Sequence, residues 1–109
     1  MVEELRYALS VASKRVAEEF TVDLQDRAVE NGWPRAVAEQ IFVDFDLDAS
    51  MFFVSYNQDY EGLIFDLEYG DGDNPAVPVM RVYENDINRL ASPRLDLLLQ
   101  EELLRTGVL

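Results

Sequence analysis

The 109-residue sequence contains no cysteine, no histidine and one lysine, Lys14. Without cysteine there are no disulfides and no thiolate metal sites, which fits a reducing compartment. Without histidine, the commonest general base and the commonest transition-metal ligand are both missing. No window approaches the ~18 consecutive apolar residues of a membrane span. The opening MVEELRYAL is acidic where a secretory signal is basic. These absences predict a soluble intracellular product with no membrane association.

Basic charge is absent from the middle of the chain. Between Arg35 and Arg81 there is no Lys or Arg, while Glu39, Asp44, Asp46, Asp48, Asp59, Glu61, Asp66, Glu68, Asp71 and Asp73 accumulate there. That third accounts for most of the net charge of −13, and the two ends are nearly neutral. Lys and Arg supply nearly all non-specific affinity for nucleic acid, so this field repels polyanions and steers toward basic partners. Three readings follow: a solvated face, a surface complementary to a basic partner, or a wall past which DNA moves without sticking.

Hydrophobic residues make up 49% of the chain, enough for a core, and the length suits one domain over residues 1–109. Over residues 3–31, Leu5, Ala8, Leu9, Ala12, Val16, Phe20 and Leu24 recur at helical spacing. Asn31-Gly32 supplies a left-handed stop, and the β-branched pair Thr21-Val22 invites a kink. Trp33-Pro34 opens a short helical turn to about residue 40. The period then changes to two: IFVDFDLD and MFFVSY, around Asp48-Ala49-Ser50, predict a β-hairpin. In the segment 61–69 Leu63, Phe65 and Leu67 alternate, while Leu63, Ile64 and Leu67 also fit a helical face. The alternation favours a third strand. A helix is expected from Pro78 to about residue 90, with a restart at Ser92-Pro93. The expected fold class is α+β: a long N-terminal helix packed on a small antiparallel sheet of about three strands, with two C-terminal helices. Leu97 and Leu104 form a second apolar stripe on the last helix, beyond what one packing face needs, and suggest a subunit interface.

Few constellations carry chemistry. Asp44, Asp46 and Asp48 sit at the alternate positions of a calcium loop, but Ala49 stands where that loop needs glycine and Ser55 where it needs glutamate. No serine has a histidine for a base, and only Lys14 is available as a substitute. The reading is therefore no catalytic residue, no cofactor and no metal site, and not an enzyme. A metal-dependent hydrolase would need three or four converging acids.

The most specific stretch is LEYGDGDNPAVPVMR, residues 67–81. Gly70 and Gly72 permit positive φ, Asp71 and Asp73 hydrogen-bond locally, and Asn74-Pro75 stiffens the exit toward a helix bearing Arg81. The acidic-aromatic-glycine triplet Glu68-Tyr69-Gly70, a short loop, the run Pro75-Ala76-Val77-Pro78 and Arg81 together resemble the signature of the small tail-completion or neck proteins that join head to tail in long-tailed bacteriophages. That family often has threonine where Asp71 stands, and many of its members are basic.

The resemblance implies a non-enzymatic virion protein made in the host cytoplasm and placed at the head–tail junction. It implies a homo-oligomeric ring, a hexamer among the options, around a channel through which DNA passes without specific binding. Its neighbours would be connector, stopper, tail-terminator or tail-tube proteins of the phage. Glu68, Tyr69, Gly70, Asp71, Asp73, Pro78 and Arg81 would be docking elements, with Arg81 pairing an acid such as Glu68 within or between subunits. A contrasting expectation, from the charge alone, is an acidic DNA mimic that inhibits a DNA-binding protein.

Overall fold

Apolar residues at helical spacing run without interruption through the first third of the chain, and they form one helix, α1 (Val2–Glu30). The computed structural model describes residues 2–107. Ala8, Ala12, Val16, Leu24 and Ala28 are buried along α1 at multiples of four residues, with Phe20 packed between them. A four-residue step overshoots a full turn by about 40°, so this stripe winds around the helix. One helix therefore faces two different partners. α1 continues through Thr21-Val22 without the second start that pair invites. Instead the Thr21 hydroxyl accepts the Val43 N–H at 2.8 Å, so the polar branch ties α1 to the next layer. The helix stops as the sequence indicates: Gly32 takes φ +105°, Gly32 N–H donates to the Val29 carbonyl, and Trp33 N–H donates to that of Ala28.

After Pro34, a single turn α2 (Arg35–Ala38) leads into the hairpin of β1 (Ile41–Asp46) and β2 (Met51–Tyr56), paired antiparallel with Val43 opposite Val54 and Phe45 opposite Phe52. Ile41, Val43, Phe52 and Val54 are buried, while Asp44, Asp46, Met51 and Phe53 face outward. Phe45 and Phe52 meet edge-on at 4.6 Å between centroids. The reversal is built by Asp46, whose carboxylate accepts the N–H groups of Asp48 and Ala49, with Ser50 at φ +53°. Asp46 thus serves the turn.

A two-stranded sheet has two open edges, and helix side chains cover both. On the β1 side, Thr21 takes the Val43 N–H and the Gln25 amide donates to the Ile41 carbonyl at 2.9 Å. On the β2 side, Asn88 accepts the Phe52 N–H at 2.8 Å and donates to the Phe52 carbonyl at 3.1 Å, pairing with the strand as another strand would. Glu84 accepts the Val54 N–H. Edge groups occupied in this way are not offered to another chain's strand.

The third strand expected over residues 61–69 is a helix. A turn of 3-10 helix (Gln58–Tyr60), capped by the Asn57 side chain, runs into α3 (Glu61–Tyr69). Ile64 and Glu68, four residues apart, are its buried positions, and this one-turn spacing overrides the alternation of Leu63, Phe65 and Leu67. The two C-terminal helices expected are also one. The break expected at Ser92-Pro93 is absent, and α4 (Met80–Arg105) runs through it. Proline lacks an N–H and normally disrupts a helix interior. Here Pro93 lies on the exposed face, while Tyr83, Ile87, Ala91 and Leu98 hold one buried stripe across it. The architecture is α+β: a long N-terminal helix, a two-stranded antiparallel sheet and helices C-terminal to it.

α1 and α4 run antiparallel. Tyr83 at one end donates its hydroxyl to the Asp23 carboxylate at 2.8 Å, and Arg94 further along grips Glu19 through two bonds of 2.9 Å. The main hydrophobic cluster joins α1, α2, the hairpin, α3 and α4, whereas Ala8 and Leu103 are buried outside it. The molecule is a rod of 57 × 22 × 21 Å with a radius of gyration of 16.1 Å. A compact chain of about this length would have ~13 Å.

Candidate functional site

The segment from α3 to α4 is held by an exchange of helix caps. The start of α4 has four N–H groups without helical partners, and its N-cap residue, Val79, has no side-chain oxygen to offer. Glu68, near the end of α3, supplies one from eleven residues upstream. Its Oε1 accepts the N–H groups of Val79 and Met80, each at 2.8 Å, and its Oε2 accepts that of Arg81 at 3.2 Å. The carboxylate is buried at 1% exposure, where three backbone donors and the positive end of the helix offset the loss of water.

Arg81 returns the contact. Its Nε donates to Glu68 Oε2 at 2.9 Å, and its Nη2 donates to the Glu68 carbonyl at 2.8 Å, in the last turn of α3. The carboxylate of one helix thus caps the start of the next, and the guanidinium of that helix occupies a carbonyl at the end of the first. The guanidinium also lies 4.3 Å above the centre of the Tyr69 ring. Arg81 is half exposed, and Tyr69 is 56% exposed, so the stacked pair forms part of the outer surface.

Gly70 makes the exchange possible. It takes φ +82° and ψ 164°, a region essentially reserved for glycine. A Cβ there would lie 2.8 Å from the Ala76 nitrogen, 3.0 Å from the Asn74 oxygen and 3.2 Å from the Pro75 carbonyl carbon. All three are backbone atoms, so no side chain can turn aside. Asp71 then folds the loop on itself: its Oδ1 accepts the N–H groups of Asp73 at 2.8 Å and Asn74 at 2.7 Å, and its own N–H donates to the Asn74 carbonyl. Those N–H bonds, that of Asp73 first, hold the Asp71 carboxyl below the usual carboxylate range. The exit is fastened by the Val77 N–H on the Leu67 carbonyl at 2.7 Å and by the Trp33 indole on the Val77 carbonyl at 3.0 Å.

Glu68, Tyr69, Gly70, Asp71 and Arg81 are therefore brought together in one device. Asp73 joins it through its backbone alone, and Pro78 is exposed two residues before α4, which starts at Met80 and not at the proline. Leu97 and Leu104 lie elsewhere, on the other half of α4, at 49% and 63% exposure. Among the described residues no group of three carboxylates is arranged to hold a metal ion. Ser13 donates to the Ser10 carbonyl at 3.2 Å. No described helix is long and apolar enough to cross a membrane.

No family model, curated protein or solved structure matches the chain.

Several residues that organise this end of the molecule carry no signal of their own in the sequence. Trp33 anchors the loop from 44 positions away. Tyr56 and Phe65 line up beside Tyr69 through edge-on aromatic contacts with centroids 5.4 and 5.6 Å apart. Glu84 and Asn88, unremarkable on a helix, occupy the sheet edge. The only available hint was the helical spacing that places Glu84 and Asn88 one turn apart on a single face.

Proposed function

We propose that the chain is a structural protein of the phage neck, one subunit of a ring that joins the head connector to the tail around the DNA channel. The observation that carries this reading is the cap exchange between Glu68 and Arg81. The residues on which the family resemblance rests are consumed in fixing the direction of α4 and in presenting the Tyr69–Arg81 stack. A rigid, exposed turn of this kind suits docking between subunits, and it has no reactive group left over.

Charge supports a place beside DNA rather than on it. Arg27, Arg35, Arg81, Arg89, Arg94 and Arg105 all pair with acids of the same chain. Little basic charge remains to neutralise phosphates. In the ring, the basic-free middle third would line the channel or meet a basic neighbouring ring, and Leu97 and Leu104 would pack against an adjoining subunit. Charge density argues against a DNA mimic. A duplex as long as the 57 Å rod would carry about 34 phosphate charges at one per ~1.7 Å. This chain has a net charge of −13, most of it in one third of the sequence.

Deleting the gene from the phage genome that encodes it tests the reading. The expected result is DNA-filled heads and completed tails that accumulate separately and join when the protein is added back. Normal joined particles without the protein would overturn it.

A further inference from the structure

Two hollows lie side by side along α4, one of 310 Å³ against α3 and Tyr56 and one of 400 Å³ against the hairpin. Glu84 and Asn85 line both, so they form a saddle between the two. One hollow is walled by Tyr56, Phe65 and Tyr69, the other by Met51 and Phe53. Tyr69 and Met51 are more than half exposed, and Phe65 and Phe53 more than a third. Large apolar side chains gathered on both sides of a charged saddle are a feature of interaction surfaces.

The polar groups on the saddle are only partly committed. Glu84 spends one oxygen on a long 3.3 Å bond from the Val54 N–H, and among the described residues it forms no ion pair and the Asn85 side chain makes no hydrogen bond. Arg81, at the rim, is neutralised by Glu68. Asp46, which lines one hollow, and Glu61, which accepts the Tyr56 hydroxyl beside the other, form no ion pair among the described residues. The β2 edge is occupied by Asn88 and Glu84, so an occupant cannot add itself as a strand and must bind through its side chains.

We infer that this groove docks an arginine-bearing segment of a partner protein, with the guanidinium over Glu84 and Asn85 and an apolar side chain in each hollow. Guanidinium matches the site in two ways: it pairs with a carboxylate through a planar fork, and it stacks on an aromatic face such as that of Tyr56, as Arg81 already does on Tyr69. Apolar hollows on both sides of one charge favour a peptide over a bare polycation. The inference rests on the groove alone and holds whatever assembly the chain belongs to.

Titrating the isotope-labelled full-length chain with acetyl-Leu-Arg-Leu-amide, followed by NMR, tests it. Saturable shifts are expected at Glu84, Asn85, Tyr56, Phe65 and Phe53. The same peptide with citrulline in place of arginine should bind at least about threefold more weakly, as should the wild-type peptide to Glu84→Gln, because either change removes a partly desolvated charge pair. Asp96→Asn, an exposed change further along α4, should leave binding unaltered. No saturable shift, equal binding of the citrulline peptide, or equal losses in Glu84→Gln and Asp96→Asn would each overturn it, the last by showing diffuse attraction to an acidic surface.

Discussion

Removing the Glu68 carboxylate separates two explanations for the contact between α3 and α4. If the contact is chiefly an ion pair, Glu68 and Arg81 are equivalent and removing either costs the same. If it is chiefly a helix cap, they are not. In Glu68→Ala the N–H groups of Val79, Met80 and Arg81 lose their acceptor, and Val79 is buried at 4% exposure. Each buried donor left without a partner costs about 1–3 kcal/mol. Met80 and Arg81 are more exposed, and water recovers part of their share. The total is about 3–5 kcal/mol, a large part of the ~5–15 kcal/mol that holds a domain together. In Arg81→Met the buried carboxylate keeps all three N–H donors, and the lost guanidinium was half solvated. That change should cost about 1–2 kcal/mol. Urea unfolding followed by circular dichroism measures both. Arg81→Met matching or exceeding Glu68→Ala would refute the cap as the main source of stability in this contact.

The two glycines of the loop should respond oppositely to alanine. Gly70→Ala meets backbone atoms at 2.8–3.2 Å in a glycine-only conformation and should lose about 3–5 kcal/mol. Gly72→Ala meets nothing within 4 Å and should stay within about 0.5 kcal/mol in the same unfolding assay. Asn88→Ala uncovers the β2 edge at Phe52, so it should cost about 1–3 kcal/mol and, in light scattering at raised concentration, promote association through exposed strand. The Asp71 carboxyl, whose folded-state pKa is lowered by N–H bonds, adds stability above its unfolded value of about 3.9 and loses it as pH falls through the lower folded value. A carbon-detected NMR titration should therefore give a midpoint for Asp71 below that value, and one at or above it would contradict the loop geometry.

Local chemistry made much of the fold legible in the sequence. The α1 spacing, the Asn31-Gly32 stop and the period-two hairpin each have a short-range cause, and each is found where the residues indicated. Expectation and structure part where distant partners decide. Residues 61–69 satisfy both periods at once, and a helix forms because Ile64 and Glu68 are both buried one turn apart. A buried glutamate is a poor guess from sequence, since its burial depends on N–H donors eleven to thirteen residues away. Pro93 reads as a helix start by local rules, yet burial of Ile87, Ala91 and Leu98 on one stripe keeps α4 continuous past it. Thr21 was readable as β-branched, but its bond to Val43 was not.

The candidate site divides in the same way. The glycine and aspartate turn of 70–74 is local and readable. The pairing of Glu68 with Arg81 came from a family resemblance, and the geometry assigns it an intrachain cap. The groove over Glu84 was invisible, because three separate elements supply its walls.

The measurement that bears most directly on the proposed neck role is the copy number of this protein in purified particles, obtained by quantitative mass spectrometry against a peptide standard. A small fixed complement, one ring per particle, is expected to stay with joined head–tail particles through a density gradient. Absence from the particles, or presence only in unassembled lysate, would contradict it.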